Sequence, residues 1–160
     1  MRRMAMLAGA AAVALFASAV PAQTKVINFA GKWVVLDSAA LGRGGRGGLG
    51  STVTILQDAG TMTIVRVGPN GEIKSIYKLD GTESKNTMMM GTTAIEQTSK
   101  TMWMSDTLMV TNGRLVNGAT VETVMNLYFD ASGNLVVATM APARGGGPIQ
   151  RQTVIYKKGM

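Results

Sequence analysis

Few residue types in this chain can do chemistry, because it contains neither histidine nor cysteine. Their absence excludes Ser-His-Asp and Cys-His catalytic groups, thiol chemistry and the ordinary zinc sites. Ser84-Lys85 and Ser99-Lys100 are serine–lysine pairs, but neighbouring side chains on a strand point to opposite faces, so neither pair forms a dyad. We therefore expect a protein that is not an enzyme and that has no catalytic residue and no cofactor.

Nine carboxylates remain as candidate acids and bases. The aspartates fall mostly at the ends of apolar segments and in turn sequences, where Asp is common for backbone reasons: Asp37, Asp58, Asp80, Asp106 and Asp130. Glu96 and Glu122 lie within strand-like segments and are the best-placed pair for acid–base chemistry inside a barrel. We favour a solvated outer face for both, since glutamate is mostly exposed.

Methionine is frequent, with 13 residues in the chain of 160. Alternate residues of a strand share a face, which pairs Met88 with Met90 and Met102 with Met104. Thioether sulfur is a soft ligand that suits Cu(I), so Met102 and Met104 form the alternative metal site. We favour core or pocket lining over copper for both pairs, because methionine is a flexible core filler. The sequence therefore predicts no metal site, and the Met102–Met104 pair is the alternative.

The first 22 residues have the three zones of an export signal. Arg2 and Arg3 give a positive start, and residues 4–20 are apolar almost throughout. Small side chains near the end favour cleavage after Ala22, with cleavage after Ala19 as second choice. The apolar run is shorter than the roughly 20 residues that a membrane anchor needs. We expect a cleavable signal peptide over 1–22, a periplasmic or extracellular protein, and no membrane span after cleavage.

The remaining residues, 23–160, have the sequence pattern of one β-domain. Short segments alternate apolar and polar residues, are rich in Val, Ile, Thr, Met and Tyr, and are separated by Gly, Asn and Asp. No segment has a convincing helical period, and no proline after the signal falls inside a predicted strand. The alternation predicts ten strands: 32–36, 52–57, 61–67, 72–79, 84–90, 92–104, 107–116, 120–130, 134–140 and 150–157.

Short turns such as Asn117-Gly118 connect these segments, which favours consecutive antiparallel strands over crossover helices. Within 120–130, Val121 and Leu127 lie on one face and Glu122 on the other. A single open sheet would leave its apolar face bare. We therefore predict an all-β fold, an antiparallel up-and-down β-barrel of eight to ten strands.

The segment Asn28-Phe29-Ala30-Gly31-Lys32-Trp33 opens the first predicted strand. It resembles the Gly-x-Trp opening of lipocalins and the wider calycin superfamily, and more specifically that of secreted bacterial lipocalin-like proteins. The likeness in strand pattern covers most of residues 27–158, and Gly31-x-Trp33 is its one sharp motif. In the family this tryptophan packs at the closed end of the barrel against an arginine near the end of the last strand. Trp33 is the matching residue, whereas Lys157 and Lys158 stand where the arginine is expected.

The resemblance implies a lipocalin-like carrier of a small apolar or amphipathic ligand inside the barrel. Alternation selects the candidate ligand-binding residues: Met62, Ile64, Ile73, Tyr77, Met125, Leu127 and Val137. About eight strands would be filled by side chains, whereas ten leave a larger lumen. A methionine-based Cu(I)-handling protein and a structural barrel without ligand are the alternatives.

Two segments, 42–48 and 144–146, are rich in glycine and arginine. The first has GxGxxG spacing, but a strand follows it rather than the helix of a dinucleotide site. RGG-like binding of nucleic acid would need interleaved aromatic residues, so we expect flexible surface loops and no nucleic-acid partner. In a closed barrel both loops can meet at one mouth and attract an anion through Arg43, Arg46 and Arg144, with Arg151 beside them.

Overall fold

Ten strands make up the computed structural model, which describes residues 27–42, 48–68, 71–90, 93–143 and 147–160. The strands are β1 (Gly31–Val35), β2 (Thr52–Gln57), β3 (Thr61–Gly68), β4 (Gly71–Lys78), β5 (Ser84–Met90), β6 (Thr93–Met104), β7 (Thr107–Val116), β8 (Ala119–Phe129), β9 (Leu135–Ala143) and β10 (Gly147–Lys158). A 3₁₀ turn, Ser38–Leu41, follows β1. No helix in these described ranges is long and apolar enough to cross a membrane. The predicted signal peptide, 1–22, lies outside them.

All ten strands belong to one antiparallel sheet, in the order β4-β3-β2-β1-β10-β9-β8-β7-β6-β5. Neighbouring strands are consecutive in sequence except β1 and β10, which pair with Trp33 opposite Lys158 and Val35 opposite Tyr156. This pairing curls the sheet until β4 and β5 approach each other, which nearly closes a barrel. The prediction of an all-β, up-and-down antiparallel barrel is confirmed, at the upper strand count.

The seam between β4 and β5 is joined by side chains, since these two strands are not hydrogen-bonded neighbours in the sheet. Asn86 accepts a hydrogen bond from the Ile76 N–H at 2.7 Å and donates to the Ile76 carbonyl at 3.0 Å. The Lys78 N–H donates to Ser84 Oγ at 2.9 Å, and Thr101 Oγ1 donates to the Lys78 carbonyl. The buried polar residues Ser84, Asn86 and Thr101 therefore satisfy the free backbone groups of Ile76 and Lys78.

One end of the barrel is closed by aromatic packing. The Phe29 ring lies 5.2 Å from that of Phe129 and is stacked 6.0 Å from Trp103, while Trp33 lies 5.7 Å from Phe129. Trp33 Nε1 donates to the Phe29 carbonyl at 2.9 Å. Lys158 Nζ stands 6.0 Å from the Trp33 ring centroid, within cation–π range. Trp33 thus lies at the closed end, with the Lys158 ammonium group over its ring.

Prolines lie inside two strands, so the prediction that all of them fall outside strands is wrong for Pro142 in β9 and Pro148 in β10. These strands extend further from the aromatic end than the alternation indicated. Gly147 lies opposite Ala143 and Ile149 opposite Pro142, which makes Pro148 the extra residue of a β-bulge. A bulge leaves its extra residue out of the ladder, so proline is tolerated there.

Candidate functional site

A cavity of about 260 Å³ occupies the barrel interior away from the aromatic end. Its wall is mixed in chemistry. Apolar side chains in the wall are Leu49, Ile64, Tyr77, Met88 and Met125, and the polar ones include Arg66, Ser75, Gln97, Asn112, Arg114 and Thr123. The interior is therefore divided along the barrel axis into a packed apolar half and a half with a polar cavity.

Two arginines face this cavity from different walls of the barrel. Arg66 lies on β3 opposite Ile73, and Arg114 lies on β7 opposite Gln97. Both are half-buried, and no Asp or Glu is among the described residues that line the cavity. Both ion pairs found in the described ranges are on the exposed outer surface. The two guanidinium charges therefore have no acidic partner in the described wall.

Arg114 also carries an unused donor. Its Nε is buried and has no hydrogen-bond partner within the described part of the chain. The neighbouring polar groups bond to one another, since Gln97 Nε2 and Ser99 Oγ both donate to Asn112 Oδ1 at 2.7 Å. An unpaired buried donor is unfavourable, so Arg114 Nε is available to an acceptor in the cavity.

Two tyrosines lie close enough to Arg66 for its charge to act on their phenols. Burial raises the pKa of Tyr77, while a hydrogen bond with Ser75 and the Arg66 charge oppose the rise. Burial likewise raises the pKa of Tyr156, whereas the hydrogen bond from the Leu49 N–H and the charge of Arg66 lower it. Both phenols are protonated at neutral pH. Tyr156 Oη accepts from the Leu49 N–H at 2.7 Å, and the cavity-lining Tyr77 keeps a hydroxyl that can donate.

The end of the glycine-rich segment 42–48 forms part of the cavity wall. Gly48 has a φ of 56°, and a Cβ there would lie 2.6 Å from Tyr156 Oη, so the position requires glycine. Leu49 is buried beside it. The expectation of a flexible surface loop is therefore wrong for Gly48, which packs against Tyr156 because it has no side chain.

The predicted ligand-binding residues divide between the cavity and the packed core. Ile64, Tyr77 and Met125 line the cavity. Met62, Leu127 and Val137 are fully buried in the hydrophobic core. Ile73 is half-buried and lies opposite Arg66 on the inward face. Alternation found the inward face, but it did not show where along the axis the interior is empty.

The predicted cationic mouth differs from the cationic site that the structure describes. Arg43, Arg46 and Arg144 lie outside the described residues. Arg151 is exposed on β10, opposite Met140. The interior cations are instead Arg66 and Arg114, which the sequence analysis missed. Their signal was spacing: each stands two residues from an inward-facing side chain on the same strand.

Met102 and Met104 lie on the outer face and are 50% and 47% exposed, so core or pocket lining is wrong for this pair. Met88 lines the cavity, in agreement with pocket lining. Glu96 and Glu122 are exposed on the outer face, as favoured above. The described residues contain no group of three or more His, Cys, Asp or Glu residues that could hold a metal.

No protein-family model matches the chain, and no curated protein is significantly similar to it in sequence. The observations define a class by fold and site alone: a ten-stranded antiparallel barrel with a small, arginine-lined interior cavity. Function must then be argued from the chemistry of that cavity.

Proposed function

We propose that the protein is an exported, non-enzymatic, lipocalin-like barrel that binds a small amphipathic anion in its interior cavity. The observation that carries the proposal is the pair Arg66 and Arg114, which face one cavity with no carboxylate in its described wall. The sequence predicted an apolar or amphipathic ligand. The two arginines favour an amphipathic ligand that carries a negative charge.

Electrostatics favours an anion over a neutral ligand. Two like charges in a partly desolvated cavity are unfavourable until a counter-charge arrives. Arginine presents N–H groups in a fork that matches the two oxygens of a carboxylate. Arg114 contributes an Nε–H that has no partner in the described structure, and the Tyr77 hydroxyl is a further donor beside Arg66. A carboxylate supplies the acceptor oxygens that these donors lack.

The apolar part of the ligand lies against Ile64, Met88 and Met125. Methionine adapts its shape to the surface it contacts, and burial of apolar ligand surface contributes about 25 cal/mol per Å². The cavity of about 260 Å³ is smaller than the roughly 300–1,000 Å³ of pockets for drug-sized ligands. We therefore propose a short ligand, such as a carboxylic acid with a brief hydrocarbon chain.

The test compares hexanoate with hexan-1-ol, which has the same chain without the charge. Isothermal titration calorimetry should show binding of hexanoate and at least about tenfold weaker binding of the alcohol, a difference of roughly 1.4 kcal/mol. Arg66→Met and Arg114→Met should remove the preference for the acid, because methionine keeps an unbranched side chain and loses the charge. Arg151→Met, on the exposed surface of β10, is the matched control and should behave as wild type.

Several outcomes contradict the proposal. Equal affinity for the acid and the alcohol, unchanged in both interior variants, would favour a purely apolar carrier. Preference for the acid that is lost in Arg151→Met would place anion binding on the outside. No binding of short acids, longer fatty acids or hydrophobic dyes would favour a structural barrel without ligand.

A further inference from the structure

A row of outward-facing side chains crosses three strands on the outside of the barrel. Met102 on β6 lies opposite Met109 on β7, and Met109 lies opposite Asn126 on β8. Met104 follows Met102 on the same face of β6. Directly opposed residues have Cβ atoms about 4.5–5.5 Å apart, and diagonal neighbours are within reach of long side chains. Three flexible thioethers can therefore converge on one point.

Packing does not explain this row. Met102 and Met104 are 50% and 47% exposed, so they fill no core. Asn126 Oδ1 is buried, yet it has no hydrogen-bond partner among the residues that the structure describes. A buried acceptor without a partner is unfavourable unless a donor or a cation meets it. The unsatisfied oxygen belongs to the residue directly opposite Met109.

Two methionines of the row share a surface groove with charged side chains. Met102 and Met109 line one surface groove together with Glu83, Glu122 and Lys100. The groove therefore carries two carboxylates and one ammonium group. The groove lies on the outside of the barrel, apart from the interior arginines.

We propose that Met102, Met104 and Met109 bind a soft monovalent metal cation, Cu(I) or Ag(I), with Asn126 Oδ1 beside the ion. Thioether sulfur prefers soft cations, and the chain has no histidine or cysteine to compete for them. Thioethers carry no proton that must leave before they bind a metal. Binding is therefore nearly independent of pH, unlike binding through carboxylates.

Competition with a chromogenic Cu(I) chelator under ascorbate, without oxygen, measures the affinity. The variant Met102→Leu/Met104→Leu/Met109→Leu keeps apolar side chains of similar volume on an outer face, and circular dichroism checks that it folds. We expect its Cu(I) affinity to fall by about 100-fold or more, which is two tenfold steps of about 1.4 kcal/mol each. The matched variant Met88→Leu/Met89→Leu/Met90→Leu, which removes three methionines from β5, should bind Cu(I) as wild type does.

NMR of ¹³C-methyl-labelled methionine gives a second readout with Ag(I), which needs no reductant. The methyl signals of Met102, Met104 and Met109 should shift together at one equivalent. The proposal is overturned if wild type binds no Cu(I), if the outer-face variant binds unchanged, or if only the β5 variant loses binding. Affinity that collapses between pH 7 and pH 4.5 would assign the ion to carboxylates instead. None of these results depends on whether the interior binds an anion.

Discussion

Arg114 is a half-buried cation with an unpaired Nε, so it should lower the stability of the ligand-free barrel. We predict that Arg114→Met raises the free energy of unfolding by about 1 kcal/mol, because an unsatisfied buried polar group costs about 1–3 kcal/mol and this residue is only half-buried. The same variant should no longer be stabilised by hexanoate. Urea unfolding with and without the ligand measures both effects. A variant that is less stable than wild type would make Arg114 a structural residue.

Three turn aspartates make stability depend on acid pH. Asp58 accepts hydrogen bonds from the N–H groups of Gly60 and Thr61 at 2.8 and 2.7 Å, which lower the pKa of its carboxyl below the ordinary 3.8. The pKa values of Asp80 and Asp130 are lowered in the same way. Each carboxyl group accepts hydrogen bonds from the side chain and the backbone N–H of a later residue in its own turn. A depressed pKa adds stability above the unfolded-state pKa, and that stability is lost as pH falls through the folded-state value.

We therefore predict that stability declines below about pH 4, where the unfolded carboxyl groups begin to take up protons. Asp58→Asn keeps an acceptor in the turn and removes the titrating group, so its decline should be shallower than that of wild type. Urea midpoints between pH 3 and pH 6 compare the two proteins. Parallel curves would show that the turn of Asp58 contributes nothing to the acid transition.

Residue types alone did not locate the arginines that line the cavity. The sequence analysis placed the candidate arginines in the glycine-rich segments. Arg66 and Arg114 lie within strands, where two-residue spacing places them on the inward face with Ile64 and Asn112. A charged residue on a strand's inward face is unusual enough to indicate a site, but the sequence does not show that the interior around it is hollow.

At the scale of elements, the seam between β4 and β5 is the weak join of the barrel. Asn86 supplies both hydrogen bonds that Ile76 would otherwise make to a neighbouring strand. Asn86→Leu leaves the N–H and carbonyl of Ile76 unpaired. We predict a loss of about 1–2 kcal/mol, since an unsatisfied group costs about 1–3 kcal/mol when buried and these two bonds are only part-buried. Thermal or urea unfolding measures the loss, and hydrogen exchange at the Ile76 amide should accelerate.

Lys85→Gln is the control for this substitution. Lys85 neighbours Asn86 on β5 but faces outward, where it forms an exposed ion pair with Glu96 at 3.3 Å. Exposed ion pairs contribute about 0–1 kcal/mol, so Lys85→Gln should change stability little. If both variants lose the same stability, the seam bonds of Asn86 are not what closes the barrel.

The strands were predictable because most have one apolar face, and β5 (Ser84–Met90) and β7 (Thr107–Val116) were predicted at their observed bounds. The seam was not predictable. Ser84, Asn86 and Thr101 are buried polar residues that replace a missing backbone ladder, so the polar residues of β5 point inward where alternation expects apolar ones. A side chain that bonds to the backbone of another strand produces no periodic pattern in the sequence. Its partner on β4 comes within reach only when the whole barrel closes.

For the whole molecule, the packed core and the cavity lie in different halves of the interior. The closed half is packed around Phe29, Trp33 and Leu127, all buried. The other half keeps a cavity with a cationic and partly methionine wall. The alternation of apolar and polar residues does not distinguish the two halves, because every second residue points inward along the whole length of a strand. The position of the cavity follows from which inward residues are polar, and from Gly48 and Leu49 packing over Tyr156.

This division predicts opposite effects for two truncations. Leu127 is 0% exposed in the packed half, and Leu127→Ala should cost about 2–5 kcal/mol of unfolding free energy while the folded protein keeps its affinity for hexanoate. Met88 is half-buried in the cavity wall, so Met88→Ala should cost less stability and enlarge the cavity. The enlarged variant should prefer octanoate to hexanoate, because the longer chain fills the new space and each buried CH₂ contributes about 0.8 kcal/mol. Calorimetric titration with both acids, combined with urea unfolding, separates the effects. Loss of hexanoate binding in folded Leu127→Ala, with an unchanged preference in Met88→Ala, would place the ligand in the closed half instead.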